Sequence, residues 1–273
     1  MTDSAAGLSA NLLRAHRVLT VPLRVLAGGL SADDDGTPLP AAMQDAVRAG
    51  ERLTTARPGP ELFAIAYRQA ADAGARSVVS IHLSRQLSGT VSVAELAARS
   101  APVPVWVVDS WSIGMGLGLV VLAAARAASA GLGTEDVVAV AVRRAAATGS
   151  FFALDSAEAL LAGGRLVTAD LVPAVLVSRP LLEIRAGRIT ALERVRTRSA
   201  ATDRLTDLAA KFAVGRDVDI AVQHTGCGDR AAELTERLAR VIPRARQVYL
   251  AEAGPVIRMH TGPGMLGVAL APC

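Results

Sequence analysis

The residues best suited to chemistry lie in short polar stretches that follow apolar runs. Near the C-terminus, the stretch MHTGPGMLG (Met259 to Gly267) follows a strand-like run and places His260 beside Thr261 among glycines. Glycine lets a ligand approach the main chain closely, and proline fixes a turn. The stretch therefore predicts either a tight turn or one wall of a binding site.

Other polar stretches offer hydroxyl groups. Thr55 and Ser88 each precede a predicted helix, and the stretch DSWSIGMGLG at 109–118 follows a predicted strand. Serine and threonine are preferred helix caps, so one such hydroxyl alone is more typical of a cap than of a ligand contact. Ser88 is the best candidate for a ligand contact. Gly89 follows it, and the N-terminus of the helix that they open would attract an anion.

A histidine beside a glycine turn is more often structural than catalytic, and His224 shows that this sequence places histidine at a strand end elsewhere. Metal sites are not predicted, because HExxH, paired CxxC and comparable ligand spacings are missing from the sequence. The sequence also lacks a GxSxG nucleophile elbow, a GxxxxGK[ST] phosphate loop and a convincing dinucleotide fingerprint. We therefore predict that the chain binds no ATP by itself.

Composition predicts a compact globular protein. The chain has 273 residues, of which 51% are hydrophobic, enough for one large domain or two moderate ones. The longest uncharged run, Ser110 to Ala125, is too short and too rich in glycine to span a bilayer. Cys227 and Cys273 suggest no disulfide framework, and the N-terminus does not read as a secretory signal. A cytoplasmic location is the default expectation.

The charge pattern does not favour nucleic-acid binding. The sequence pI is about 9.8, but the formal net charge is only +4 and the arginines are scattered among carboxylates. A surface that tracks phosphates would concentrate basic residues and interleave aromatic ones. We therefore predict no nucleic-acid partner.

Apolar strands alternate with helices over the first part of the chain. Buried strands are predicted at 77–83, 103–110 and 219–225, and helices are predicted at 60–74 and 134–148. This alternation predicts an α/β fold with a mainly parallel sheet. Ligands of such folds lie beyond the carboxyl ends of the strands, where the polar stretches occur.

The pattern changes near residue 150, which divides the chain into two predicted lobes. Residues 1–150 predict a mainly parallel N-terminal lobe, and residues 151–273 predict a smaller, mixed α+β lobe. Within the second lobe, the residues at 185–188 (RAGR) predict a hairpin turn. We expect the lobes to pack closely, with a cleft between them.

A series of motifs resembles the DegV family and covers essentially the whole chain. In order these motifs are TDS at 2–4, TTARPGP at 54–60, LSGT at 87–90, VDS with GLG within 108–118, GGRL at 163–166, VRTR at 195–198 and GPVIRMHTGPGMLG at 254–267. The resemblance implies a two-lobe α/β protein that holds one long-chain fatty acid in a tunnel between its lobes. It also implies the acyl-binding subunit of a bacterial fatty acid kinase.

The resemblance also assigns residues. It places the ligand carboxylate at Thr55, Ser88, Gly89 and His260, and a residue that works with the kinase partner at Arg196. Residues expected to support the head-group site are Asp3, Ser4, Asp109, Ser110 and Thr261. Neutral donors would satisfy the carboxylate without an arginine and leave one oxygen free to attack a phosphoryl group.

The resemblance implies a carrier rather than a complete enzyme. A separate fatty acid kinase subunit would bring ATP and magnesium, and phosphoryl transfer to the bound carboxylate would give an acyl phosphate for phospholipid metabolism. The carrier itself would bind no cofactor and no metal. Any contact with a membrane surface would be transient.

Two alternatives from other classes remain open. In the first, Ser88 is the nucleophile of a hydrolase or acyltransferase, His260 is its base, and Asp3 or Asp109 orients the histidine. In the second, the protein is a passive lipid sensor without a kinase partner.

The sequence departs from the family at several places, including Val91 and the run VIR at 256–258. Family members tend to have Thr-Ser-Gln-Pro-Ser where this chain has Thr-Ala-Arg-Pro-Gly at 55–59, so Thr55 is retained but its neighbours are altered. In the family a strand of roughly five residues precedes TDS, whereas here TDS begins at Thr2. We therefore expect the first strand of the N-terminal lobe to be missing.

Overall fold

The computed structural model describes residues 1–35, 37, 39–51, 53–166 and 179–273. Within these ranges, none of the helices combines the length and the apolar character needed to cross a membrane. The strands are β1 (Thr2–Asp3), β2 (Thr20–Val21), β3 (Arg24–Ala27), β4 (Leu30–Asp33), β5 (Thr54–Ala56), β6 (Val78–His82), β7 (Val105–Asp109), β8 (Gly149–Ala153), β9 (Arg179–Arg185), β10 (Arg188–Val195), β11 (Val218–His224), β12 (Ala245–Glu252) and β13 (Leu266–Pro272). The helices are α1 (Ala10–Ala15), α2 (Ala41–Arg48), α3 (Pro60–Asp72), α4 (Thr90–Ala98), α5 (Met115–Ser129), α6 (Thr134–Ala147), α7 (Glu158–Ala162), α8 (Arg198–Ala213), α9 (Gly228–Val241) and α10 (Pro255–Thr261).

The first half of the chain contains two pairs of parallel strands. β1 pairs in parallel with β2, and β6 pairs in parallel with β7. The main chain of Met1 joins the two pairs, because its nitrogen donates to Val79 O at 2.9 Å and its carbonyl accepts from Ile81 N at 2.9 Å. The strands predicted at 77–83 and 103–110 are thereby confirmed, as are the helices predicted at 60–74 and 134–148.

A small antiparallel sheet also occurs in this half, and the sequence analysis did not predict it. Its order is β4-β3-β5, and Thr55 of β5 pairs with Val25 of β3. Thr54 and Thr55 were considered as caps of the following helix, but that helix begins at Pro60 after Gly59. The threonines instead form an edge strand, which fixes the direction of the Thr55 side chain.

The second half contains a mixed sheet of six strands in the order β10-β9-β8-β13-β11-β12. Only β11 and β12 run in parallel among these pairs. β9 and β10 form the predicted hairpin, whose turn residues Ala186 and Gly187 have φ angles of 48° and 77°. Positive φ at both central residues is typical of the type I′ turns that connect tight hairpins.

Helix α5 lies between the two groups of strands. It contains most of the long uncharged run, and its residues from 115 to 122 are buried. Leu117 and Val120 pack with the N-terminal strands, whereas Met115 and Leu119 pack against Ala269 and its neighbours on the six-stranded sheet. A helix that is apolar on all sides is expected where protein covers every side.

A buried ionic group connects helices α5 and α6 to the six-stranded sheet. Asp219 of β11 accepts hydrogen bonds from Arg126 of α5 at 2.9 Å and from Arg144 of α6 at 2.5 Å. Arg126 also donates to the Tyr249 hydroxyl, and Arg144 donates to the carbonyl of Pro272. Asp219 is 1% exposed and Arg144 is 8% exposed, so this group holds α5 and α6 on the sheet from inside the protein.

Candidate ligand-binding site

An elongated cavity lies between α5 and the six-stranded sheet. Its empty volume is about 980 Å³, which includes the open mouth. Most of its wall is apolar. Large side chains that line it include Leu83, Leu87, Ile113, Phe152, Ile184 and Ile257.

Two residues singled out in the sequence, Thr55 and His260, meet at one end of this cavity. Thr55, Ser88 and His260 all line it. The Thr55 Oγ1 and His260 Nε2 atoms are 3.0 Å apart, and the Ser88 Oγ and Thr90 Oγ1 atoms are 2.9 Å apart. The structure thus brings Thr55 and His260 into contact and places Ser88 on the wall of the same cavity.

The local structure around His260 differs from the sequence expectation. The run that precedes the glycine turn is the short helix α10, which begins at Pro255 and ends at Thr261, rather than a strand. Pro255 is well suited to the first turn of a helix because its missing N–H group needs no partner there. His260 therefore lies in the last turn of a helix. The next strand, β13, begins at Leu266.

The capping alternative for Ser88 is wrong in the structure. Helix α4 begins at Thr90, its N-cap residue is Gly89, and no side chain caps it. Gly89 is not among the residues that line the cavity. The Ser88 hydroxyl is hydrogen-bonded only to another hydroxyl among the described residues, which leaves it able to turn towards a ligand.

His260 is neutral in the folded protein at pH 7. Burial, together with the nearby positive charge of Arg165, lowers the pKa of His260 from 6.5 to about 4. A neutral imidazole carries one N–H donor and one acceptor nitrogen. When the proton is on Nε2, the ring donates to Thr55 Oγ1, and the threonine O–H is then free to donate to another group. Gly163 leaves little room on the other side, since a Cβ there would lie 3.0 Å from His260 Nδ1.

Two arginines that the sequence analysis did not single out also line the cavity. Arg165 belongs to the GGRL motif and donates to the carbonyl of Gly163. Arg57 lies across Gly89, where a Cβ would be 3.0 Å from its Nη1 atom. In the described part of the chain neither forms an ion pair with a carboxylate. Both residues were visible in the sequence, but scattered arginines carry no positional signal.

A broader outer cleft meets the cavity at this end. Thr55, Arg165 and His260 line both the cavity and the cleft. A group bound by these residues is therefore accessible from the cleft, whereas the rest of a ligand would extend into the apolar cavity.

Two of the five supporting residues predicted from the sequence contact the cavity or the cleft. Thr261 lines the cavity, and its hydroxyl donates to Ile257 O within α10. Ser4 lines the outer cleft, where its hydroxyl donates to Asp34 at 3.2 Å and accepts from Leu23 N.

The other predicted residues lie elsewhere. Asp109 binds Arg85, and Ser110 bonds within its own loop. Arg196 is exposed at the end of β10, and its carbonyl accepts a hydrogen bond from Arg179. None of these residues lines the cavity, and neither does Asp3.

The hydrolase alternative is not favoured by the hydrogen bonds of the described residues. Asp3 bonds to His82 at 2.9 Å, and His82 bonds to Ser80 at 2.7 Å, which resembles a serine-hydrolase triad. All three residues are fully buried, so no substrate can reach Ser80. Asp3 therefore does not orient His260, whose hydrogen-bond partner is Thr55.

Metal ligands do not cluster within the described ranges, where no group of three or more histidine, cysteine or acidic residues could hold an ion.

Asp34 supports the N-terminal end of α10. It is 2% exposed, accepts hydrogen bonds from Ser4 Oγ and the main chain of Val256, and would contact any Cβ added at Gly254. Burial raises the pKa of Asp34 from 3.8 to about 6, so the folded protein binds the Asp34 proton more tightly than the unfolded chain does. Asp34 thus links the start of the chain to the helix that carries His260.

An Asp34→Asn variant is expected to be more stable than the wild type at pH 7, by a few degrees in melting temperature, because asparagine resembles the protonated acid. The Asp34 carboxyl stays protonated up to about pH 6 in the folded wild type, whereas in the unfolded chain it loses its proton above about pH 3.8. The stabilisation that protonated Asp34 gives the folded wild type is therefore present at low pH and is lost as the pH rises through 6. Melting curves from pH 4 to 8 should show the advantage of the variant growing with pH. A difference in melting temperature between the variant and the wild type that stays constant from pH 4 to 8 would contradict the raised pKa of Asp34.

The chain is similar to known proteins over almost its whole length. The model of the DegV family, described as an uncharacterised protein family, matches residues 1–272. A DegV domain-containing protein of Streptomyces coelicolor is 43% identical over 271 residues, covering 99% of this chain and 96% of the relative. One from Mycobacterium tuberculosis is 32% identical over 272 residues, covering 99% and 95%.

Solved structures agree with the observed fold. A fatty-acid-binding DegV family protein from Thermus thermophilus is 32% identical, with a TM-score of 0.92 and coverage of 100% of this chain and 98% of that one. DegV of Bacillus subtilis, a fatty acid binding protein, is 25% identical, with a TM-score of 0.88 and the same coverage. The α/β fold and the resemblance seen in the sequence are both confirmed, and the chain belongs to the DegV family.

Proposed function

We propose that the chain binds one long-chain fatty acid, with the acyl chain in the cavity and the carboxylate beside Thr55, Ser88 and His260. The observation that carries this proposal is the division of the cavity into an apolar interior and a polar end that opens on the cleft. The fatty-acid binding of the related proteins from Thermus thermophilus and Bacillus subtilis supports it.

The energetics agree with a lipid ligand. Burying an acyl chain gains about 0.8 kcal/mol per methylene, or on the order of 10 kcal/mol for a long chain. The carboxylate must keep its hydrogen bonds, because an unpaired buried charge is very costly. The hydroxyls of Thr55 and Ser88 can donate to it, and Arg165 lies close enough to His260 to influence its pKa. The positive charge of Arg165 would favour an anion at this end.

We further propose that the protein is a carrier that presents the carboxylate to a separate fatty acid kinase subunit. The shared lining of the cavity and the cleft supports this step, because it would leave the carboxylate accessible while the acyl chain is enclosed. The partner would bring ATP and magnesium and transfer the terminal phosphoryl group to a carboxylate oxygen, giving an acyl phosphate and ADP. In this proposal the exposed Arg196 contacts the partner.

Lipid binding is tested by denaturing extraction of the purified protein and mass spectrometry of the organic phase. A fatty acid present in roughly equal amount to the protein is the expected result. A folded protein that is empty, and remains empty when fatty acids are supplied, would refute the proposal.

Presentation to a kinase is tested with the lipid-loaded protein, ATP, magnesium and the ATP-binding subunit of a fatty acid kinase. Hydroxylamine should trap the acyl phosphate as a hydroxamate. Arg196→Ala is expected to slow hydroxamate formation at least tenfold without changing the amount of bound lipid, because Arg196 lies outside the cavity. Arg188→Ala is the matched control, since it removes another exposed arginine of β10. Equal effects of the two variants would contradict a specific role for Arg196.

A further inference from the structure

The cavity wall contains a buried hydroxyl group that has no hydrogen-bond partner among the described residues. Ser150 of β8 lines the cavity and is 9% exposed, and no group in the described part of the chain hydrogen-bonds its Oγ atom. Ser112, 3% exposed, has an Oγ atom in the same condition. The two hydroxyls flank Gly116, since a Cβ there would lie 2.2 Å from Ser112 Oγ and 2.5 Å from Ser150 Oγ.

The sheet register locates this hydroxyl pair relative to the head-group site. Leu266, the first residue of β13, pairs with Ala153, and Ser150 pairs with Ala269. Three residues of a strand span about 10 Å. Ser150 therefore lies about 10 Å along the sheet from Leu266, the strand end that follows the segment of His260.

Buried hydroxyls without partners are costly and are usually satisfied by protein, water or ligand. An unsubstituted alkyl chain offers Ser150 no hydrogen bond. A hydroxyl on the ligand can both donate to and accept from a serine. Gly116 packs directly against Ser150, so a ligand hydroxyl would approach Ser150 Oγ from the side of the cavity that the serine lines.

Accordingly, we propose that the preferred ligand is a fatty acid with a hydroxyl group on its acyl chain, and that Ser150 binds this hydroxyl. The proposal rests on the proposed fatty-acid binding and specifies the class of lipid. Thr55, Ser88 and His260 form the carboxylate site, and Ser150 binds the hydroxyl group on the acyl chain.

The test is displacement of a fluorescent fatty acid from the protein by stearic acid and by its positional monohydroxy isomers. We expect one isomer with the hydroxyl in the middle of the chain to bind about tenfold more tightly than stearic acid. In Ser150→Ala this preference should fall to within about twofold of unity while stearic acid binds as in the wild type. The variant should remain as stable as the wild type, because the serine hydroxyl has no protein partner to lose.

Thr190→Val is the matched control. Its Oγ1 atom is also buried and unpartnered within the described residues, but Thr190 does not line the cavity, so lipid preference should not change. Equal binding of all isomers by the wild type, or a preference that persists in Ser150→Ala, would overturn the assignment. If neither stearic acid nor any hydroxylated isomer displaces the probe, fatty-acid binding itself is refuted.

Discussion

A Ser88→Ala/His260→Ala double variant is expected to bind fatty acid about 1,000-fold more weakly than the wild type. A hydrogen bond to a charged group contributes about 1.5–3 kcal/mol, so losing the Ser88 donor and the Thr55 donor that His260 orients costs about 3–6 kcal/mol. Removal of the imidazole also frees the Thr55 hydroxyl, which His260 Nε2 holds at 3.0 Å. The carboxylate would then enter a site with fewer fixed donors.

Two measurements check this expectation. Titration with a fluorescent fatty acid gives the affinity, and extraction followed by mass spectrometry gives the amount of lipid that copurifies. Thr54→Ala is the matched control, because Thr54 lies next to Thr55 and lines only the outer cleft. An unchanged affinity in a folded double variant would show that the carboxylate binds elsewhere, for example at Arg57 or Arg165.

Asp219→Ala is expected to destabilise the protein by about 3–5 kcal/mol. Breaking a buried ion pair by removing one partner leaves an uncompensated charge, and a cost of this size is typical. Here the charge left behind is on Arg144, which is 8% exposed. Arg126, which also bonds to Tyr249, loses its carboxylate as well.

Asp217→Ala is the matched control for this second prediction. Asp217 lies two residues earlier and also binds two arginines, Arg244 and Arg246, but that group is at the surface. Surface ion pairs contribute little to stability, so the melting temperature of Asp217→Ala should stay close to that of the wild type. Chemical denaturation of the two variants compares them directly. Similar losses in both would contradict the importance of burial.

Much of the fold could be predicted because its strands and helices carry strong local patterns. The runs at 77–83, 103–110 and 219–225 are apolar and β-branched, and the residues at 185–188 have the turn chemistry of a hairpin. The small sheet formed by β3, β4 and β5 lacked such a pattern. Its strands are three or four residues long and partly exposed, so their pairing depends on contacts between distant segments.

The candidate site was predictable only in part, for a related reason. The types of Thr55, Ser88 and His260 suggested a site, and the resemblance to the DegV family grouped them. The roles of Arg57, Arg165 and Ser150 depend on which way each side chain points in the cavity, and sequence spacing does not encode this direction. The helix at Pro255–Thr261 was mistaken for a strand because a run of seven residues is too short to reveal its period.

The hydrogen bond between Thr55 and His260 joins residues that are 205 positions apart in the chain. During synthesis, a ribosome therefore releases nearly the whole protein before this pair can form, and closing so long a loop is entropically costly. A lipid that binds only the completed site stabilises the native state by mass action. Lipid availability would then influence how much newly made protein survives quality control.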